Sequence, residues 1–130
     1  MTLARTLLQL SSVVFAVVGI GYLAVPGAML SIVGIRSDAT TDFLLRTEGV
    51  AMLAAAGIIW ASTHLSAAPK RLVLVSLAGY YLLGSVVDLA ALWQGIVGAA
   101  SMPSAGARLV LAALCIGAAV KLPRATNDGS

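Results

Sequence analysis

The sequence predicts an all-α fold, an integral membrane four-helix bundle. Of the 130 residues, 60% are hydrophobic and only 10% are charged, whereas a soluble domain carries about a quarter charged residues. The chain also contains four apolar stretches, each close to the roughly twenty residues that cross a hydrocarbon core about 30 Å thick. We therefore assign residues 1–122 to one domain of four transmembrane helices.

The first predicted span covers residues 6–24 and is followed by Pro26 and Gly27, which end the helix. Arg5 precedes this apolar run, as a basic residue would in a cleaved signal peptide. The apolar region of a signal peptide is only about 7–15 residues long, so we prefer an uncleaved span. The next apolar stretch, residues 28–35, is too short to cross the bilayer and is predicted to lie in its interface.

Three further spans are predicted at about residues 43–63, 72–93 and 105–122. The threonines and aspartates of the polar loop 36–42 are expected to cap the second span. The short connector 64–71, which contains Pro69, predicts that the second and third spans are antiparallel neighbours. Residues 123–130 are polar and are predicted to form a disordered cytoplasmic tail.

Orientation is predicted from the basic residues near the ends of the spans. With four spans, the membrane side that holds both termini also holds five basic residues, namely Arg5, Lys70, Arg71, Lys121 and Arg124. The other side holds three, namely Arg36, Arg46 and Arg108. Because cytoplasmic loops carry an excess of lysine and arginine, both termini are predicted to be cytoplasmic and the protein to lie in the plasma membrane.

Composition excludes several classes of function. The basic residues behind the net charge of +3 are scattered, without an aromatic-interleaved stripe, so nucleic acid is not a predicted partner. The lone Cys115 cannot form an internal disulfide, and the lone His64 cannot supply two axial ligands to a haem. No residues have the spacing of a metal site or of a known catalytic motif. We therefore predict no metal, no cofactor and no catalytic residues.

Five polar residues form the candidate site, namely Arg46, Glu48, Tyr80, Asp88 and Arg108. The four charged ones share one depth in an antiparallel bundle, and Tyr80 lies on the same helical stripe as Asp88. One interpretation is structural: Arg46 or Arg108 clamps Asp88 and joins the helices. The other is functional: the cluster lines a cavity that binds a polar head group or carries a proton, because ionisable residues inside membranes often mark such sites.

Three segments carry a resemblance to known proteins, namely GYLAVPG, LLRTEGVAMLAAAGI and LGSVVDLAALWQG. With them, most of the chain resembles the small four-helix bacterial membrane proteins of the DoxX-like and related uncharacterised families. The resemblance implies a four-helix bundle with a largely unassigned role. It also implies, from some relatives, a link to quinone or thiol-redox complexes as a subunit.

Three functions remain as hypotheses. The first is a non-enzymatic accessory, scaffold or lipid-contacting subunit, whose partners are the lipid bilayer and either another membrane protein or a second copy of the chain. The second is a small homodimeric proton-coupled transporter that uses Glu48 or Asp88. The third is a subunit that binds a quinone or isoprenoid, with Tyr80, Tyr81 and Arg46 near the head group.

Overall fold

The chain folds into five α-helices in a computed structural model that describes residues 2–123, apart from the side chain of Ala100. In order they are α1 (Leu3–Ala24), α2 (Pro26–Ile32), α3 (Ala39–Ser62), α4 (Ala67–Trp93) and α5 (Met102–Lys121), with a 3-10 turn at Ala99–Ser101. The helices α1, α3, α4 and α5 are long and apolar enough to span a membrane. This confirms the predicted all-α membrane bundle. The predicted tail falls almost entirely outside the described residues.

The spanning helices begin earlier than the apolar runs, because polar residues also form their first turns. Helix α3 starts at Ala39, where the Asp38 side chain accepts a hydrogen bond from the Thr41 backbone N–H at 2.7 Å. In return, the Asp38 backbone N–H donates to the Thr41 hydroxyl at 2.9 Å. These bonds to Thr41 lower the pKa of Asp38. In α4 the first turn contains Pro69, which is tolerated there because its missing N–H would have no helical partner.

The links opposite the termini, residues 25–38 and 94–101, define what we call the distal end of the bundle. The Val25 N–H closes α1 by donating to the Gly21 carbonyl at 2.9 Å, and Pro26 starts the short helix α2. That helix overlaps residues 28–35, the stretch predicted to be interfacial, but begins two residues earlier and ends three residues earlier. The two distal links touch each other, since the Gly98 N–H donates to the Val33 carbonyl at 3.3 Å.

The bundle consists of two closely packed helix pairs, α1 with α3 and α4 with α5. At the α1–α3 crossing, a Cβ added to Gly49 would lie 2.8 Å from the Gly19 carbonyl oxygen, so only glycine permits this approach. The buried Tyr81 hydroxyl joins the pairs by donating to the Ser11 hydroxyl at 3.0 Å. The short connector between α3 and α4 predicts that these helices are neighbours. They do touch, but they contact each other far less than the helices within each pair do.

Candidate ligand cavity

A cavity of about 370 Å³ lies where all four spanning helices meet. Its polar side chains are Tyr22 of α1, Glu48 of α3, Tyr80 and Tyr81 of α4, and Ser104 and Arg108 of α5. Its main apolar side chains are Val14, Phe15, Val18, Met52 and Leu111. The cavity therefore combines charge and hydroxyl groups with a hydrophobic wall, as ligand sites in proteins usually do.

Four of the polar groups lie toward the distal end. Tyr22 and Ser104 are each two residues from a helix terminus at that end, Arg108 is six residues into α5 and Glu48 is nine residues into α3. Glu48 and Tyr22 lie at similar depth, because a Cβ at the neighbouring Gly49 would lie 3.1 Å from the Cβ of Tyr22.

Arg108, the cationic residue that lines the cavity, forms an ion pair. Asp88 Oδ2 lies 3.4 Å from Arg108 Nη1, and the two side chains are 22% and 30% exposed. The same oxygen is inaccessible and accepts no hydrogen bond from residues 2–123, so Arg108 supplies it with charge rather than a well-aligned N–H. Arg108 is therefore the arginine that pairs with Asp88, and its positive charge is largely neutralised within the protein.

The position of Arg108 depends on a glycine in the facing helix. The guanidinium lies directly against Gly84, where an added Cβ would overlap with Arg108 Nη1. The adjacent Ser85 hydroxyl is buried and donates to the Ala105 carbonyl at 3.1 Å, which fixes the start of α5 against α4. Gly84 lies between Tyr80 and Asp88 on one helical stripe of α4, and the structure shows that it makes room for the ion pair.

Arg46 lies apart from the other predicted site residues. Its side chain is exposed, it does not line the cavity, and it forms no ion pair within the described range. Arg46 and Glu48 are two positions apart, so their side chains leave α3 about 200° apart. The structure thus places Glu48, Tyr80 and Arg108 around one cavity, attaches Asp88 to it through Arg108, and directs Arg46 elsewhere.

Four side chains of the cavity have no polar partner among the described residues. Glu48 forms neither an ion pair nor a hydrogen bond there, since the ion pair of the cavity is that of Arg108 with Asp88. The hydroxyl groups of Tyr22, Tyr80 and Ser104 likewise make no hydrogen bond within residues 2–123, in contrast to that of Tyr81. The sequence analysis missed Tyr22 and Ser104 as site residues. A lone tyrosine or serine near a helix end is common at membrane interfaces, and only their convergence on Glu48 and Arg108 marks them.

An aromatic cluster forms the deep side of the cavity. The ring centroids of Phe15 and Tyr80 lie 5.0 Å apart, those of Tyr80 and Tyr81 5.7 Å, and those of Phe15 and Tyr81 6.4 Å. These distances are typical of attractive tilted and edge-to-face pairs. Phe15 and Tyr80 also line a smaller cavity of about 180 Å³ together with Glu48. The unpaired carboxylate therefore adjoins the aromatic rings.

The weak packing of α3 against α4 leaves an apolar groove between them, which we call the α3–α4 groove. It encloses about 360 Å³ and is lined by Phe15, Ala55, Ile58, Ile59, Leu72, Val73, Ser76, Leu77 and Tyr80. Phe15 and Tyr80 thus border the groove, the main cavity and the smaller cavity that lies beside Glu48. The side chains of Phe15 and Tyr80 are therefore shared by the walls of a polar site and an apolar site.

Within residues 2–123, no group of three or more His, Cys, Asp or Glu side chains could hold a metal ion. Comparison of the chain with models of protein families, with curated proteins and with solved structures gave no match. The resemblance to DoxX-like proteins therefore stays a prediction.

Proposed function

We propose that this protein is a non-enzymatic integral membrane protein that binds one amphiphilic molecule between its helices. The polar head of the molecule lies in the cavity beside Glu48 and Arg108, and its apolar tail lies in the α3–α4 groove. The observation that carries this proposal is that the polar cavity and the apolar groove adjoin each other and share the side chains of Phe15 and Tyr80 in their walls. A site that is polar at one end and apolar at the other matches a molecule with the same division.

The dimensions of the site support this proposal. The cavity and the groove, at about 370 Å³ and 360 Å³, each reach the range of about 300–1,000 Å³ that is usual for small-molecule pockets. The groove is bordered by exposed apolar side chains such as Ile58 and Leu72, which are 67% and 70% exposed. A molecule dissolved in the bilayer therefore reaches the groove sideways from the lipid, without crossing the distal end.

Native mass spectrometry of the protein released from native-membrane nanodiscs tests the proposal. We expect one defined small mass for each chain. The variant Ala107→Trp puts a large side chain into the cavity wall, and Ala113→Trp puts the same side chain on an exposed part of α5 outside the cavity. Loss of the bound mass only in Ala107→Trp supports the proposal. A wild-type protein that carries no such mass, or equal binding by both variants, contradicts it.

We also propose that the distal end faces away from the cytoplasm, with both termini cytoplasmic and the protein in the plasma membrane. Five basic residues near the terminal ends of the spans, against three near the distal end, support this orientation. Because Cys115 is the only cysteine, a Cys115→Ala background permits site-specific labelling. An impermeant thiol reagent applied to intact cells is expected to label Ser37→Cys and not Ser66→Cys. The reverse pattern would show the opposite orientation.

A second candidate function is that of a small homodimeric proton-coupled transporter. The unpaired Glu48, nine residues into α3, favours it, because a carboxyl group inside a membrane is the usual proton carrier of such proteins. The two functions differ in a liposome assay, since only a transporter moves its ligand in response to a pH gradient. Uptake that is abolished by Glu48→Gln would favour transport, and ligand binding without uptake would favour the accessory role.

A further inference from the structure

The charges around the cavity do not balance. Two carboxylates, Glu48 and Asp88, face one guanidinium, that of Arg108, and Asp88 occupies it at 3.4 Å. Arg46, the remaining arginine of the predicted cluster, is exposed on another face of α3. Glu48 is thus left without a cationic partner in residues 2–123, and its exposed side chain lines two cavities.

From this imbalance we infer that the head group of the bound amphiphile is a cation, such as a substituted ammonium group, which pairs with Glu48. The inference rests on the proposed function and names the ligand class for the same site. A cation supplies the one charge that the cavity lacks. It requires no rearrangement of the Asp88–Arg108 pair.

The aromatic cluster supports the same ligand class independently. Phe15 and Tyr80 line the small cavity next to Glu48, and their ring centroids lie 5.0 Å apart. Aromatic rings attract cations through their negative faces, and substituted ammonium groups are recognised by cages of such rings. The carbon substituents of the cation then contact the rings, and its longer chain continues into the α3–α4 groove.

Other head groups fit the cavity less well. An anionic head would meet the unpaired Glu48 carboxylate, and the one guanidinium that could bind it is already engaged by Asp88. A neutral quinone would accept hydrogen bonds from the free hydroxyl groups of Tyr22 and Tyr80. It would leave the Glu48 charge without a partner, however, so the charge distribution favours the cation over the quinone.

Three probes that share one tail and differ in head charge test the inference, namely decyltrimethylammonium, decanoate and a decyl-substituted benzoquinone. Binding of each to the full-length protein in zwitterionic nanodiscs is measured by equilibrium dialysis, with empty nanodiscs subtracted. We expect saturable binding of decyltrimethylammonium and none of decanoate. Glu48→Gln is expected to weaken binding of the cation at least about tenfold, whereas Glu48→Asp, which keeps the charge, retains most of it.

A matched control comes from the same helix. Asp42→Asn removes an acid in the first turn of α3, outside the cavity, and is expected to leave binding of the cation unchanged. Equal binding by wild type and Glu48→Gln overturns the inference. Binding of only the quinone or decanoate, lost in Ala107→Trp, also overturns it but upholds the proposed function. If none of the three probes binds and no native mass is found, the proposed function fails as well.

Discussion

The α1–α3 crossing provides a sharp test of how the bundle is assembled. A Cβ at Gly49 would lie 2.8 Å from the Gly19 carbonyl oxygen, whereas ordinary contact begins at 3.4 Å. In Gly49→Ala the two helices must therefore separate by about 0.6 Å, and overpacking of this kind costs about 1–3 kcal/mol. Because the obstacle is backbone rather than a flexible side chain, rotation of a neighbouring group cannot relieve it.

A second glycine of α3 isolates this steric cost. A Cβ at Gly57 would meet nothing within 4 Å, so Gly57→Ala changes helix propensity alone. That change stabilises a helix by about 0.5–1 kcal/mol and is common to both variants. The free energy of unfolding is therefore expected to be lower in Gly49→Ala than in Gly57→Ala by about 1–3 kcal/mol.

Reversible unfolding in mixed micelles, followed by circular dichroism, measures this difference. Equal stabilities for Gly49→Ala and Gly57→Ala would refute the close crossing of α1 and α3. The crossing also affects the cavity, because the added Cβ at Gly49 would lie 3.1 Å from the Cβ of Tyr22. Since Glu48 precedes Gly49, separation of the helices is expected to move Glu48 away from Tyr22 and to weaken ligand binding in the same variant.

Two further predictions concern the ion pair and the start of α3. A Cβ at Gly84 overlaps with the Arg108 guanidinium, so Gly84→Ala is expected to displace this side chain from Asp88 and to lower the free energy of unfolding by about 1 kcal/mol relative to Gly79→Ala, which has open space around it. The same unfolding measurement in mixed micelles checks this, and equal stabilities of the two variants would contradict it. The hydrogen bonds to Thr41 lower the pKa of Asp38. The stabilisation that these bonds provide is therefore present above the ordinary pKa of an aspartate, and it is lost as the pH falls through the lowered pKa. The melting temperatures of wild type and Asp38→Ala should therefore converge in acid, and a difference independent of pH would contradict this assignment.

The candidate site was predictable in part. The sequence placed Glu48, Asp88 and Arg108 at one depth, because the direction of each span follows from the number of spans before it. It left open whether Arg46 or Arg108 pairs with Asp88. The structure selects Arg108, since α4 and α5 are packed together and Gly84 leaves room for the guanidinium between them.

The cavity itself could not be derived from the sequence. Tyr22 and Phe15 lie on the first span, far along the chain from Tyr80, and their approach depends on the rotation of each helix about its axis. Hydropathy does not determine that rotation in a bilayer, because lipid tails and apolar side chains solvate a helix face about equally well. For the same reason, the α3–α4 groove arises from which helices pair, and the loop lengths do not specify those pairs.

The sequence by itself determined that the spans of this protein are surrounded by lipid and that they are helices. Twenty apolar residues in succession can satisfy their backbone groups in lipid only as a helix, so the four spans and their alternating directions follow from local composition. The tertiary structure decided everything that depends on which faces meet. The small residues Gly19, Gly49 and Gly84 set those contacts, because dispersion and steric fit act only between surfaces already brought together, and no local pattern encodes the partner.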